Sequence, residues 1–337
     1  MTEQELKAIF KSFNRLNALI IGDVMLDSYY WGGVSRISPE APVPIVAVNR
    51  KESRMGGAGN VVINLQALGA HPILCGIAGT DDSGDLLLRM LKDKKLPVTG
   101  IVRVKDRATT TKTRIISHSQ HLVRIDEEDD RVIDESLSET LFMRIKEFVK
   151  ERRIDVIIFE DYDKGVISPP LIEKVTGLAK RENIPVVVDP KRRNFSYYVN
   201  VTLFKPNLKE LREGLNSAVD PHDINSLNAA VGKLCKEQNI EIAMVTLSEL
   251  GVYVNAGKVK KIIPAVIRNI ADVSGAGDSV ISVAALCCAL KLPPADTAFL
   301  SNLAGGQVCE KAGVAPVNKE QLIAEALEYL KTHSGKL

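Results

Sequence analysis

Asp272-Val273-Ser274-Gly275-Ala276-Gly277-Asp278, followed by the apolar run Ser279 to Leu292, is the stretch whose residue types and spacing best suit chemistry. Glycines on either side of an alanine let the backbone turn tightly and bring N–H groups close to a ligand, and the apolar run reads as the helix they open. Unpaired N–H groups and the positive end of a helix dipole favour a phosphoryl group at such a place. Asp278 falls in the first turn, beside that charge. A carboxylate there can accept the proton of an attacking hydroxyl, the base role in phosphoryl transfer to an alcohol. An ordinary N-cap, with Ser or Asp ahead of a helix and Gly in the loop, fits the same residues. Other stretches have to decide.

The elements that would position this stretch form a repeating pattern. Short apolar runs of β type (Ala18 to Gly22, Val156 to Phe159, Pro185 to Val188, Val201 to Phe204 and Ile242 to Val245) alternate with helix-period segments. Each run ends in polar residues: Asp23 to Asp27; Glu160-Asp161-Tyr162-Asp163-Lys164-Gly165; Asp189-Pro190-Lys191; Lys205 to Glu210; and Thr246 to Gly251. The repetition predicts an α/β fold with a doubly wound, mostly parallel sheet and one site along its carboxyl edge. Asp23 and Asp27 are site candidates by that rule, with capping or turn formation as the alternative. After Asp278 only helices are expected, including an amphipathic one over Lys319 to Lys331.

Two stretches break the pattern. Residues 28–50 hold prolines and glycines that forbid a helix, and aromatic and β-branched residues that favour short strands. Residues 101–126 have the same character, with alternation in Thr111 to Ser117 and Leu122 to Ile125. Together they predict a small β-rich lid whose Arg36, Arg114 and Arg124 are available to an anionic substrate. Tyr29, Tyr30, Trp31, Ile45 and Val46 on it would need cover, so a homodimer with lids packed together is expected. Between the two stretches, Met55-Gly56-Gly57-Ala58-Gly59-Asn60 reads as a glycine-rich turn before a helix bearing Asn60 and Asn64. Such a turn lets a polyhydroxylated ligand press against the backbone, although a tight strand-to-helix connection explains it as well.

Composition excludes several partners. The 44 Lys and Arg against 42 Asp and Glu leave no field to recruit nucleic acid or an anionic membrane. The five cysteines show no CxxC spacing and read as reduced, buried thiols. The N-terminus is charged and helix-like rather than a signal peptide, and no apolar run is long enough to span a bilayer. A cytoplasmic protein forming a single domain over 1–337 is the expectation.

These motifs together resemble the ribokinase-like carbohydrate kinases, also called the phosphofructokinase B family, over nearly the whole chain. Asp272 to Asp278 is similar to the family's C-terminal signature, Gly56 to Asn60 to its sugar-binding signature, and Asn207-Leu208-Lys209-Glu210 to its Asn-x-x-Glu motif. Within the family, Gly22 to Asp27, Ser35-Arg36-Ile37-Ser38-Pro39-Glu40-Ala41-Pro42-Val43-Pro44, Asp161 to Gly165 and Asp189 to Lys191 resemble the kinases of D-glycero-D-manno-heptose 7-phosphate. Ser274 stands in place of the usual Thr, and Asp163 where Gly is common.

The resemblance implies a ribokinase-like fold and ATP-dependent phosphorylation of the β-heptose 7-phosphate at O1, in ADP-heptose and lipopolysaccharide precursor biosynthesis. Asp278 would be the base, with Gly275, Ala276 and Gly277 donating N–H groups to the transferred oxygens. Asp23, Asp27, Gly56, Gly57, Asn60, Asp161 and Lys164 would hold the sugar. Lys164, Lys191 and lid arginines such as Arg114 would meet its 7-phosphate. Thr246, Ser248, Gly251 and Asn302 would lie on the nucleotide side, ordinary loop or helix roles being the alternative. Asn207 and Glu210 would organise the waters of Mg2+. Some members use a monovalent cation such as K+, for which the Lys311-Ala312-Gly313 loop is the candidate here. Many relatives carry a nucleotidyltransferase domain after the kinase; with the chain ending at Leu337, a separate protein is expected to supply that step. A kinase of ribose or fructose 6-phosphate, or a non-catalytic sugar or nucleotide sensor, is the alternative reading.

Overall fold

The computed structural model describes residues 1–117 and 120–332. Positions 118 and 119 of the expected lid, and 333–337 of the expected domain, lie outside the described residues. In chain order the strands are β1 (Asn17–Gly22), β2 (Val24–Ile37), β3 (Pro44–Gly57), β4 (His71–Gly79), β5 (Ile101–Val104), β6 (Thr110–Ser117), β7 (Gln120–Glu127), β8 (Val156–Glu160), β9 (Val186–Asp189), β10 (Leu203–Phe204), β11 (Ile242–Thr246), β12 (Val252–Ala256) and β13 (Val259–Ile263). The helices are α1 (Glu3–Phe13), α2 (Ala58–Ala67), α3 (Asp82–Asp93), α4 (Glu135–Glu151), α5 (Pro169–Glu182), α6 (Leu208–Leu215), α7 (Ile224–Gln238), α8 (Ala276–Ala289), α9 (Pro294–Val308) and α10 (Lys319–Thr332).

One sheet holds nine strands in the order β13-β12-β11-β10-β9-β8-β1-β4-β5. Neighbours from β11 to β5 run parallel, while β12 and β13 turn back antiparallel at one edge. Period-two alternation sorts the side chains onto two faces. Ile20, Ile158, Val187, Leu203 and Met244 join one core with Val283 of α8 and Leu300 of α9. Leu19, Ile21, Phe159, Val188, Phe204 and Val245 join the other, with Leu141 of α4, Leu171 of α5 and Leu227 of α7. Helices on both faces are what the repeated βα pattern predicts.

On the first face α8 is buried along its whole length from Asp278 to Cys288. A helix that is apolar all round needs cover on every side, and α2, α9 and strands β8 and β9 supply it.

The second sheet has the order β3-β2-β6-β7 and is the expected lid, with different bounds. β2 and β3 stay paired from Ile37↔Pro44 inward to Val24↔Gly57, well beyond 28–50. Residues 101–104 are not lid at all. They form β5, which pairs in parallel with β4 because Ile101 and Val102 are buried against the main core. Strands β4, β12 and β13 were not anticipated either. Among the described residues no helix is long and apolar enough to cross a membrane, and the five cysteines are free, four of them buried.

β3 can turn directly into α2 because position 57 carries no side chain. Gly57 has φ +54° and ψ −131°, and a Cβ there would stand 2.6 Å from the carbonyl oxygen of Asp23. Gly57→Ala is expected to lower the unfolding free energy by about 2 kcal/mol or more. Chemical denaturation followed by circular dichroism will read it; a wild-type midpoint would remove the requirement for glycine.

Candidate active site

The parallel strands deliver side chains to the carboxyl edge by parity. Ile158, Val187 and Leu203 face α8, so the residues two positions on, Glu160, Asp189 and Lys205, face it too. Glu160 and Asp189 lie side by side in the β8–β9 register. Lys205 Nζ pairs with Asp189 Oδ2 at 2.8 Å, both side chains being almost fully buried. Burial opposes the Lys205 charge, but Asp189 and Glu210 outweigh it and raise the pKa. Glu160 is wholly buried, and burial followed by the charges of Asp189 and Asp278 pushes its pKa well up. Neither of its carboxylate oxygens has a hydrogen-bond partner.

Above these groups sits the N-terminus of α8. Gly275 is the cap residue, with φ +80°, and no side chain caps the helix. The Ser274 N–H and hydroxyl both donate to Asp272 Oδ1 instead, at 3.0 and 2.8 Å. The simple N-cap reading therefore does not hold, and although the Ala276 N–H donates to the Val273 carbonyl at 3.3 Å, no side chain takes the other first-turn donors from an anion. A Cβ on Gly277 would lie 3.6 Å from both Asp189 Oδ2 and Lys205 Nζ, so a cation stands close to those donors.

Asp278 is 4% exposed and held at both oxygens. Asn60 Nδ2 donates to Oδ2 at 2.5 Å, and the Tyr162 hydroxyl donates to Oδ1 at 2.8 Å. Burial raises its pKa while these two donors pull it down. Position 275 must be glycine here as well, since a Cβ would stand 2.9 Å from Asn60 Nδ2 at positive φ. The expected catalytic and sugar-binding signatures thus meet at one carboxylate.

The lid closes the other side. Asp27 accepts from Arg114 Nη1 at 2.5 Å, both largely buried. A Cβ on Gly56 would fall 2.2 Å from Asp27 Oδ2, so that glycine admits the carboxylate. The ammonium groups of Lys112 and Lys191 lie 5.6 and 5.3 Å from the Tyr162 ring centroid. Lys164 pairs with Glu128 at 2.8 Å.

Two expected sugar-binding carboxylates have other work. Asp23 Oδ2 accepts the N–H groups of Tyr162 and Lys164, and Oδ1 that of Val166. Burial and the neighbouring Asp161 push its pKa up to about 6. Asp161 accepts from Asp163 N–H, Asn194 Nδ2 and the Tyr198 hydroxyl. Both follow Ile21 and Phe159 on the face away from α8, so they clamp the 161–166 loop rather than face a ligand. Asp163 takes the left-handed φ of +56° that a glycine would adopt there, and burial followed by Asp161 raises its pKa.

Asn207 and Glu210 lock each other in a capping box at the start of α6, and Glu210 also holds Lys191. Each side-chain oxygen of the pair thus already accepts one donor, and Lys191 is held by a carboxylate as Lys164 is. On the presumed nucleotide side, Thr246 bridges to Asn207 and Ser248 is exposed with φ +53°. Gly251 and Asn302 instead support the chain leaving β13: a Gly251 Cβ would strike the Ile263 carbonyl, and Asn302 donates to the Ile263 and Pro264 carbonyls. At the proposed monovalent-cation loop, Arg54 Nη1 donates to the carbonyls of Ala312 and Val314, so a guanidinium already occupies it. A wide surface cavity around Arg153, Pro185, Thr202 and Lys291 lies away from all these groups.

Tyr162, Glu160, Asp189 and Lys205 were not singled out from sequence. Parity from the buried residues of each strand was the signal that would have found the last three. Nothing local marks Tyr162, whose partner is far along the chain.

A family model described as pfkB family carbohydrate kinase matches residues 16–321. The bifunctional protein HldE of Citrifermentans bemidjiense is 38% identical over 343 residues, covering 100% of this chain and 69% of its own length. That of Geobacter sulfurreducens is 38% identical over 327 residues, covering 96% and 65%. The chain thus spans about two thirds of the length of these relatives. Phosphofructokinase-2 from Escherichia coli in complex with substrates and products superposes with TM-score 0.77 at 18% identity, covering 94% of this chain and 99% of that one. Arabidopsis thaliana ribokinase with ribose and ATP gives 0.68 at 15%, covering 91% and 98%. At such identities the likeness concerns the ribokinase-like fold.

If Asp23 is the clamp of the 161–166 loop, Asp23→Ala should strand three backbone donors and cost about 3 kcal/mol of stability. Hydrogen exchange should quicken at the amides of Tyr162, Lys164 and Val166; unchanged protection there would refute the clamp.

Proposed function

The chain belongs to the pfkB family of carbohydrate kinases, and we propose that it transfers the γ-phosphoryl group of ATP to O1 of D-glycero-β-D-manno-heptose 7-phosphate. The observation that carries this reading is the Asp278 carboxylate, gripped by Asn60 and Tyr162 at an uncapped helix N-terminus. The heptose is favoured by the Ser35 to Pro44 and Asp161 to Gly165 stretches and by the match to the bifunctional relatives.

In this reading the sugar lies between lid and α8, against Gly56, Gly57, Asn60 and Asp27. Its 7-phosphate, a dianion, is met by Arg114, Lys112 and Lys164, of which Arg114 and Lys164 now pair with carboxylates. Asp278 takes the O1 proton as the hydroxyl attacks in line. The first-turn N–H groups at Gly275, Ala276 and Gly277, with Lys205 beside them, face the charge that spreads over the transferred oxygens. The nucleotide runs toward Thr246 and Ser248. Mg2+ bound with ATP would supply further positive charge to its phosphates; Asn207 and Glu210, which already hold each other and Lys191, would meet its waters rather than the ion itself. ATP as donor places the reaction in the cytoplasm. Use of the product in ADP-heptose formation calls for a nucleotidyltransferase activity in addition.

Phosphorus NMR of the protein with Mg-ATP and the heptose phosphate, run beside fructose 6-phosphate and ribose, should show a new anomeric phosphate from the heptose alone. Turnover of another sugar with the heptose inert would overturn the substrate while leaving the kinase. Asp278→Asn should fold normally and lose at least ~10²-fold in turnover; near-normal turnover would take Asp278 out of the mechanism.

We further propose a homodimer through the lid, whose Ile37, Val43, Leu122, Val123 and Ile125 are exposed. Light scattering should give twice the chain mass for the wild type and the chain mass for Val123→Asp combined with Ile125→Asp. A monomeric wild type would sink this assembly.

A further inference from the structure

Arg54, near the inner end of β3, reaches out of the lid into the loop between α9 and α10. Its Nη1 donates to the Val314 carbonyl at 2.8 Å and to the Ala312 carbonyl at 3.4 Å. The guanidinium is held on its other sides as well: Nε pairs with Glu52 at 2.5 Å, and the group lies over the Tyr29 ring, 5.1 Å from its centroid. Tyr29 in turn accepts the Val314 N–H at its hydroxyl, at 3.3 Å. Both backbone groups of Val314 are therefore taken by lid residues. Gly313 leaves room for the guanidinium, because a Cβ there would stand 2.9 Å from Nη1 and the residue has φ +70°.

Backbone carbonyls of one loop turned toward a common point are what a cation such as K+ binds. Here that point holds a guanidinium, which stays charged and donates from a rigid fork. A second ion of the same sign beside it would be repelled, and would compete for carbonyl oxygens already in use. The residues present therefore do not fit a monovalent cation at this loop. The order of the loop also reaches beyond it. Gly313 N–H donates to Asp272 Oδ2 at 2.9 Å, and Oδ1 of the same carboxylate accepts from the Ser274 N–H and hydroxyl. The next residue, Gly275, is the left-handed turn that opens α8.

We propose that Arg54 is a positioning residue that acts as a built-in cation. It fixes the 312–314 loop and, through Asp272, the turn at Ser274 and Gly275, so that the protein needs no monovalent cation to order the α8 terminus. The use of that order in phosphoryl transfer rests on the kinase reading above; the strut itself does not.

Amide hydrogen exchange of the substrate-free protein tests the strut alone. Wild-type protection at Ser274, Gly313 and Val314 should be the same in K+ and in tetramethylammonium salts. In Arg54→Ala it should fall at least ~10-fold, and in Arg54→Lys, which keeps a cationic donor, it should fall less. Thermal melting shows which variants fold. Wild-type protection that rises when K+ replaces tetramethylammonium would overturn the proposal, as would a folded Arg54→Ala protected like the wild type. Turnover of the heptose phosphate with Mg-ATP should be indifferent to K+ in the wild type and drop at least ~10-fold in Arg54→Ala, in kcat more than in KM. Stimulation of the wild type by K+, or a loss confined to KM, would overturn the role assigned to Arg54. A chain inactive toward every sugar would remove the kinase reading and leave the exchange result standing.

Discussion

The burial of α8 with its N-terminus toward the carboxyl edge of the sheet is the constraint from which the site follows. A helix apolar on all sides must sit inside the protein, and no side chain caps its first turn. Gly275 ends the approach in a left-handed turn, and Ser274 spends its hydroxyl on Asp272 rather than on the helix. Asp278 enters the interior on the same turn. Its charge is tolerable because Asn60, from the first turn of α2, and Tyr162, from the loop after β8, each give it a donor. Three segments distant in sequence are thereby tied to one carboxylate.

Strand parity then divides the polar residues into two populations. Glu160, Asp189 and Lys205 fall on the α8 face and gather under the donors, whereas Asp23 and Asp161 fall on the opposite face and bond the backbone of the 161–166 loop and the side chains of Asn194 and Tyr198. The carboxylates are chemically alike, and one residue of displacement along a strand decides between the α8 face and the scaffold.

The lid is not an appendage. Its Tyr29 hydroxyl accepts from Val314 N–H, and Arg54 reaches the carbonyls of Ala312 and Val314. The neighbouring Gly313 N–H in turn donates to Asp272, the residue that holds Ser274. Movement of β2 and β3 is therefore linked by hydrogen bonds to the turn that opens α8.

What the sequence by itself determined is whatever local chemistry forces. The apolar runs imposed parallel strands, the helix-period segments imposed helices on both faces, and the glycines at 56 and 57 marked where a carboxylate and a backbone carbonyl come close. The family signatures singled out Asp278 and Asn60, without indicating that they touch. Tertiary structure decided the rest. The lid bounds shifted because strand pairing, not composition, ends a strand: β2 and β3 run inward to Gly57, and residues 101–104 leave the lid for β4. Lys191 and Lys164 found carboxylate partners, and Asn207 and Glu210 found each other, because a long side chain's partner depends on which loops the fold brings within reach. The acidic cluster and Tyr162 were beyond a one-dimensional reading for the same reason. Glu160, Asp189 and Asp278 are separated by tens of residues, and only the closing of the sheet against α8 places their oxygens together.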